Sequence, residues 1–192
     1  MVRKFIATLL ICLALAGAAQ AGGKGWNKPN KPKVPQTVAE LLEVVKNQGF
    51  SVLYAAVQAA DPSIAVALSD KKLRATVFFP QDAGFTAFLK KNGLNAEDLL
   101  GNKALLTDVL KLHVVPHIIR SGHISRHPWT VKTLLKGWAG RISLFRKWKS
   151  VLVESKGNGD HYSKVVLADI AVGKSIVHVI DYPLFQGLPK KA

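Results

Sequence analysis

The sequence predicts an α+β fold, and three observations predict it. Helical periodicity with helix-start signals dominates the chain from Thr37 to Leu112, interrupted by one strand-like run at Thr76 to Phe79. From His113 onward the apolar residues fall in short β-type runs instead. Strands and helices never alternate in the βαβ manner, which excludes a doubly wound nucleotide-binding sheet. The 192 residues suit one ordinary domain, and a 48% hydrophobic content is too high for a disordered chain.

Thr37-Val-Ala-Glu40 is a capping box, in which the Thr37 hydroxyl caps a helix and Glu40 reaches back to it. Val38, Leu41, Leu42 and Val45 then share one helical face, and Gly49 ends the helix. Ser51 opens a second helix, and Asp61-Pro62 starts a third with aspartate as cap and proline in the first turn. Thr76 to Phe79 reads as a buried strand ended by Pro80, after which Asp82 is placed to cap a helix carrying Phe85 and Phe88 inward. Asn95 caps a short helix, and 103–112 forms the last one. The expected strands are 113–115, 131–135, 140–145, 151–154, 164–167 and 176–180, with Gly157-Asn-Gly159 as a turn between two of them. No internal repeat is present.

Residues 1–21 have the make-up of a secretory signal peptide: Arg3 and Lys4, an apolar run from Phe5 to Leu15, then Ala19-Gln20-Ala21 as the cleavage site. The apolar run is too short for a spanning helix. The product is therefore expected to be secreted and extracellular, cleaved after Ala21 and without a lipid anchor. Cys12 is the only cysteine, so the mature chain would form no disulfide and do no thiol chemistry. Residues 22–36 make a basic Pro/Gly/Lys-rich tail with Lys24, Lys28, Lys31 and Lys33. One domain would span 37–188, followed by a short tail at 189–192.

Three segments resemble the fasciclin domain, a module of secreted and cell-surface adhesion proteins. Ala75-Thr-Val-Phe-Phe-Pro-Gln-Asp-Ala-Gly-Phe85 is similar to that family's first motif, TVFAPTDAAF. Leu110-Lys-Leu-His-Val-Val-Pro116 is similar to the central L-x-Y-H-V-V-P motif, and Val166-Leu-Ala-Asp-Ile170 with Ile176-Val-His-Val-Ile-Asp181 to the motif ending in HVID. The resemblance implies one fasciclin-like domain, with the N-terminal helices packed on a β-sandwich or wedge formed largely by the C-terminal half. It also marks Thr76, Phe78, Pro80, Asp82, Phe85, His113, Pro116, Asp169, Ile170, His178 and Asp181 as family-motif positions with structural roles. His113 reads as a buried histidine bonded to backbone, and Asp169 and Asp181 as carboxylates bonded to backbone N–H groups or to a nearby basic residue. Two departures stand out: Leu112 occupies the usual tyrosine position, and Ala-Val-Gly-Lys-Ser175 replaces the usual Asn-Gly turn. With no Arg-Gly-Asp present either, an integrin ligand is not implied.

No catalytic constellation is legible, so no enzyme is expected. There is no G-x-S-x-G elbow and no phosphate-binding glycine loop. His113, His117, His123 and His127 form two pairs four apart, but Pro116, Gly122 and Pro128 break the helix that would align them. Neither metal nor cofactor is expected.

The charge is the property the resemblance leaves unexplained. Lys and Arg number 27 against 12 Asp and Glu, and between Asp108 and Glu154 there are nine basic residues and no acid. Trp129, Trp138 and Trp148 lie in the same stretch. Cations interleaved with aromatic rings suit polyanion binding, and the candidates are Lys132, Lys136, Arg141, Arg146, Lys147, Trp148 and Lys149. Arg146 to Lys149 is expected at a hairpin connection. The alternative is a solvated β face with its tryptophans packed inside. In the extracellular compartment the expected partner is an acidic or sulfated polysaccharide, alongside a cell-surface or matrix protein. An anionic membrane surface is the rival, and the leader argues against nucleic acid.

Overall fold

A computed structural model describes residues 34–187. The leader, most of the basic tail and the C-terminal tail lie outside the described residues. Helix α1 (Val38–Val45) begins at Thr37, whose hydroxyl accepts from the Glu40 N–H at 3.1 Å. The Glu40 carboxylate reaches one residue further than a capping box requires and accepts from the Gln36 N–H at 2.8 Å. A 3₁₀ turn and Gly49 at φ +95° reverse the chain into α2 (Ser51–Ala59), followed by α3 (Pro62–Ser69).

Strand β1 (Thr76–Pro80) is buried throughout and leads into α4 (Asp82–Asn92). Asp82 does not cap that helix, in contrast to the sequence expectation. It is the first helical residue, and its carboxylate instead accepts from the Ser51 N–H (2.9 Å), the Ser51 hydroxyl (2.7 Å) and the Val52 N–H (2.9 Å). It therefore satisfies the exposed amides of α2, about thirty residues earlier. Gly84 sits where α4 crosses the end of the sheet, and a Cβ there would lie 2.0 Å from the Asp181 carbonyl. Helix α5 (Ala96–Gly101) starts after Asn95, which makes no side-chain cap bond, whereas Asn102 caps α6 (Lys103–Leu112) through the Leu105 N–H.

The strands are β2 (Val114–Val115), β3 (Trp129–Lys132), β4 (Arg141–Lys147), β5 (Ser150–Ser155), β6 (Ser163–Val172) and β7 (Ser175–Ile180). They form one sheet in the order β2-β1-β7-β6-β5-β4-β3. Only β1 and β7 run parallel, joining the first strand to the last. β6 is much longer than expected because it contains a bulge: Asp169 has φ +61° and the register shifts on either side of Leu167. The expected strand at 131–135 lies two residues earlier at its start, and Thr133 instead begins the loop into β4.

Two cores result. α1 to α6 pack on one face of the β1-β7-β6 region around Phe50, Phe79, Phe85, Phe88 and Phe185. The opposite face, carrying Phe78 and Ile180, is closed by the inward residues Val131, Ile142, Leu144, Val151 and Val153 of β3 to β5. Alternation along β1 divides its side chains between the two, with Val77 and Phe79 in the first core and Phe78 in the second. This is the α+β wedge expected from the sequence.

Candidate functional site

The second core fixes which residues of β3 to β5 face outward. Facing partners share a side of the sheet, so Val131↔Ile142, Leu144↔Val153 and Arg146↔Val151 point inward. Lys132↔Arg141, Thr130↔Ser143↔Glu154, Phe145↔Leu152 and Lys147↔Ser150 point outward. The outer surface has a cationic group at each end; between them lie the polar row Thr130, Ser143 and half-buried Glu154 and the half-buried pair Phe145 and Leu152, where Phe145 meets Tyr162 edge-on at 5.3 Å. Six residues of strand put the two ends about 20 Å apart.

At the first end, Lys132 and Arg141 are exposed and directly opposite each other. Continuing the β4–β5 register by one residue brings exposed Lys156 into the same row. Like charges directly opposite destabilise a sheet, and among the described residues the only ion pair joins Lys46 to Glu43, far from this row. The row is relieved by an aromatic ring instead. Trp138, 63% exposed, has the Arg141 guanidinium and the Lys156 ammonium each 4.5 Å from its ring centroid. Trp138 is presented by a 3₁₀ turn that ends at Gly140, where the Gly140 carbonyl accepts from the Thr133 amide and hydroxyl. Exposed Lys136 lies in the same loop.

At the second end, β4 runs to Lys147, further than the sequence suggested, and the connection is only Trp148-Lys149. Trp148 has φ +57°, a region that bulky residues avoid and glycine fills in such turns. It is 87% exposed and flanked by exposed Lys147 and Lys149. Arg146 is different in kind from these neighbours. Strand parity turns it inward, where its guanidinium donates to the Ile124 carbonyl at 3.2 Å and to the Ser121 carbonyl, while its N–H donates to Ser125 at 2.7 Å. It fastens the 121–125 loop to the hairpin and does not stand on the outer face with Arg141.

That loop is held from its other side by motif residues. The Thr76 hydroxyl donates to the His117 carbonyl (2.7 Å) and accepts from the Ile119 N–H (2.8 Å). His178 accepts at Nδ1 from the Asp169 N–H, so its Nε2 carries the proton donated to the Ile119 carbonyl at 2.9 Å. The Asp169 carboxylate accepts from the Ser121 amide and hydroxyl, and these bonds outweigh desolvation and hold its carboxyl below the ordinary range. His113 is the mirror case: Nδ1–H donates to Val109 (2.7 Å) and Nε2 accepts from the Leu184 N–H (3.0 Å). Burial lowers its pKa to about 4, and burial also lowers that of His178. Both rings are neutral with fixed tautomers, since protonation would set N–H against N–H.

The remaining motif positions lie around the same framework. Phe78 and Phe85 are core residues, Ile170 is buried beside the bulge, and Leu112 is fully buried in the second core. Pro80 ends β1 opposite Ile180, and Pro116 is exposed just after β2. The Asp181 carboxylate accepts from the Lys164 N–H at 2.7 Å. His117, His123 and His127 are exposed, and no cluster of three potential metal ligands occurs among the described residues. Sequence reasoning missed Lys156, whose place in the row follows only from the β4–β5 register.

No curated protein matches the sequence. Among solved structures, the chain is similar to a FAS1 domain pair from the insect cell adhesion molecule fasciclin I, with a TM-score of 0.55 and 16% identity. The match covers 72% of this chain and 46% of that one, so this chain spans about half the length of the pair. At that identity the likeness concerns the fold. A family model for the fasciclin domain matches residues 48–186, well over half of the sequence and including all three motifs, and the chain therefore belongs to the fasciclin domain family.

Proposed function

We propose that this protein is a secreted, non-enzymatic adhesion module of the extracellular matrix that holds an acidic or sulfated polysaccharide on the outer face of β3 to β5. One observation carries the reading: Lys132, Arg141 and Lys156 form a row across three chain segments, and among the described residues no carboxylate is within ion-pair distance of any of them. A fixed row of like charges lowers the cost of binding a polyanion, because the ligand removes a repulsion the fold already bears. Trp138 adds a ring face beside that row for a sugar to stack on. The likeness to an insect cell adhesion molecule supports the adhesion class.

The test is binding of residues 22–192 to immobilised acidic polysaccharide across a salt series. Reversing the row (Lys132→Glu, Arg141→Glu, Lys156→Glu) is expected to weaken binding at low salt by about 100-fold and to flatten the salt dependence. Equal binding by the two proteins sinks the reading, and a protein partner then becomes the leading one.

A second reading rests on the other end of the face. Trp148 stands out between two lysines at the hairpin tip, an arrangement that suits insertion at the headgroup level of an anionic membrane. Vesicles containing phosphatidylserine separate the two readings. Binding that is lost with Trp148→Gly but kept in the row variant favours the membrane.

A further inference from the structure

A cleft of about 430 Å³ opens between the last turn of α4 and the loop that follows β5, a size ordinary for a small-ligand site. Its wall is aromatic. Tyr182 is only 6% exposed, with the His161 ring 3.9 Å from it and Phe88 meeting it edge-on at 5.9 Å. The Tyr182 hydroxyl has no hydrogen-bond partner among the described residues, yet it is not sealed from the cleft. On the rim stand exposed Lys91 and Asp160, opposite charges that form no ion pair. Asn92 donates its amide to the Phe88 carbonyl at 2.8 Å, which leaves its side-chain oxygen available.

The loop that forms one wall is rigidly placed. Asn158 is buried and bonds both the Pro183 carbonyl (2.8 Å) and the Phe185 N–H (3.1 Å), while the Gly157 N–H donates to Phe185 at 2.8 Å. A Cβ on Gly157 would strike the backbone of Phe185 and Gly187, so the close approach depends on glycine. Such a cleft exists before its ligand arrives and loses little freedom on binding.

The chemistry differs from that of the cationic row. One cation, one carboxylate, an imidazole, an amide oxygen and a buried phenol supply donors and acceptors in balance beside flat apolar rings. A hydroxyl-rich ring needs that mixture, because each hydroxyl both donates and accepts and the ring carbons are apolar. Lys156, the last cation of the row, directly precedes Gly157 of the cleft wall. We infer that the cleft is a sugar subsite holding one pyranose residue of the same polysaccharide, so that the row reads charge and the cleft reads the sugar. The choice of a polysaccharide rests on the proposed function; the cleft itself does not.

The test uses two polymers, polygalacturonate and inorganic polyphosphate, which share charge but not sugar. Asp160→Ala and His161→Ala, both on exposed positions, are expected to weaken polygalacturonate binding about tenfold each and not to weaken polyphosphate binding, since neither removes a cation of the row. Row reversal weakens both polymers. If the two cleft variants weaken neither polymer, or weaken both equally, the sugar subsite is overturned while the cationic face stands. If the wild-type protein binds neither polymer, the cationic face fails instead. The cleft is then decided by titrating free galacturonic acid against the Tyr182 and His161 ring resonances: saturable shifts that Asp160→Ala weakens support it, and no shift overturns it.

Discussion

Arg141 and Arg146 lie on the same strand and read alike in sequence, yet the fold gives them opposite fates. Arg141 faces water beside Lys132, Lys156 and Trp138, and no carboxylate among the described residues is paired to it. Arg146 turns inward and holds the carbonyls of a loop. What separates them is an odd number of residues on a strand, which places one on each side. A run of positive charge is thus not one property. Half of it can be structural mortar while the other half is presented to a partner, and the hydrophobic pattern of the same strand decides which. The two turns differ as well: the Trp138 loop is closed by backbone bonds around Gly140, whereas the Trp148 tip holds a bulky residue in a conformation that costs energy.

The largest effect is expected at Gly140. A Cβ there would lie 1.6 Å from the Leu135 carbonyl oxygen, so Gly140→Ala should destabilise the domain by about 3 kcal/mol and dislodge Trp138. Denaturant titration measures this, and an unchanged midpoint would show that the loop can rearrange freely. Next comes pH. His113 has a folded pKa of about 4 against 6.5 in the unfolded chain, so the unfolded state takes up the proton first. Its contribution is complete above pH 6.5 and is lost as pH falls toward 4, amounting to about 3 kcal/mol, and His178 shifts in the same direction. Stability followed by urea titration from pH 7 to 4 should show this slope; a flat profile contradicts the neutral-ring assignment.

Arg146→Ala sharpens the comparison directly. Removing charged bonds to two carbonyls should cost about 2 kcal/mol of stability while polyanion affinity per folded molecule stays the same. Arg141→Ala should do the reverse, with stability within about 0.5 kcal/mol of wild type and binding weakened several-fold. If the two variants behave alike, strand parity is the wrong way to sort them. The smallest effect has the opposite sign. Trp148→Gly relieves a positive φ and should stabilise the hairpin by about 1 kcal/mol in thermal unfolding, although any role of the tip in binding is removed with it.

Much of this was legible in the sequence. Periodicity marks the helices, with Thr37 and Asp61 capping as expected, and the alternation Arg141-Ile-Ser-Leu144 in the sequence already separates an inward pair, Ile142 and Leu144, from an outward one. The same alternation carried two residues further would have turned Arg146 inward. Arg146-Lys-Trp-Lys149 is too polar to read as strand in sequence, while the actual turn is only Trp148-Lys149. The place of Lys156 needed the pairing register of two strands, which no single-strand pattern contains. The bulge at Asp169 was hidden for a related reason: it depends on Ser121 and His178, partners from other parts of the chain. Local rules read local structure well, and the candidate face is made by pairing.

The carboxylate of Asp82 has a consequence for the order of assembly. Helix α2 obtains its cap from a residue about thirty positions downstream, so until that residue docks its first amides have only water for partners. It can close fully only after β1 and the start of α4 have been made and docked beside it. The aspartate of the first motif is therefore a latch between an early helix and a late one, and the end of α2 is complete only when both are in place.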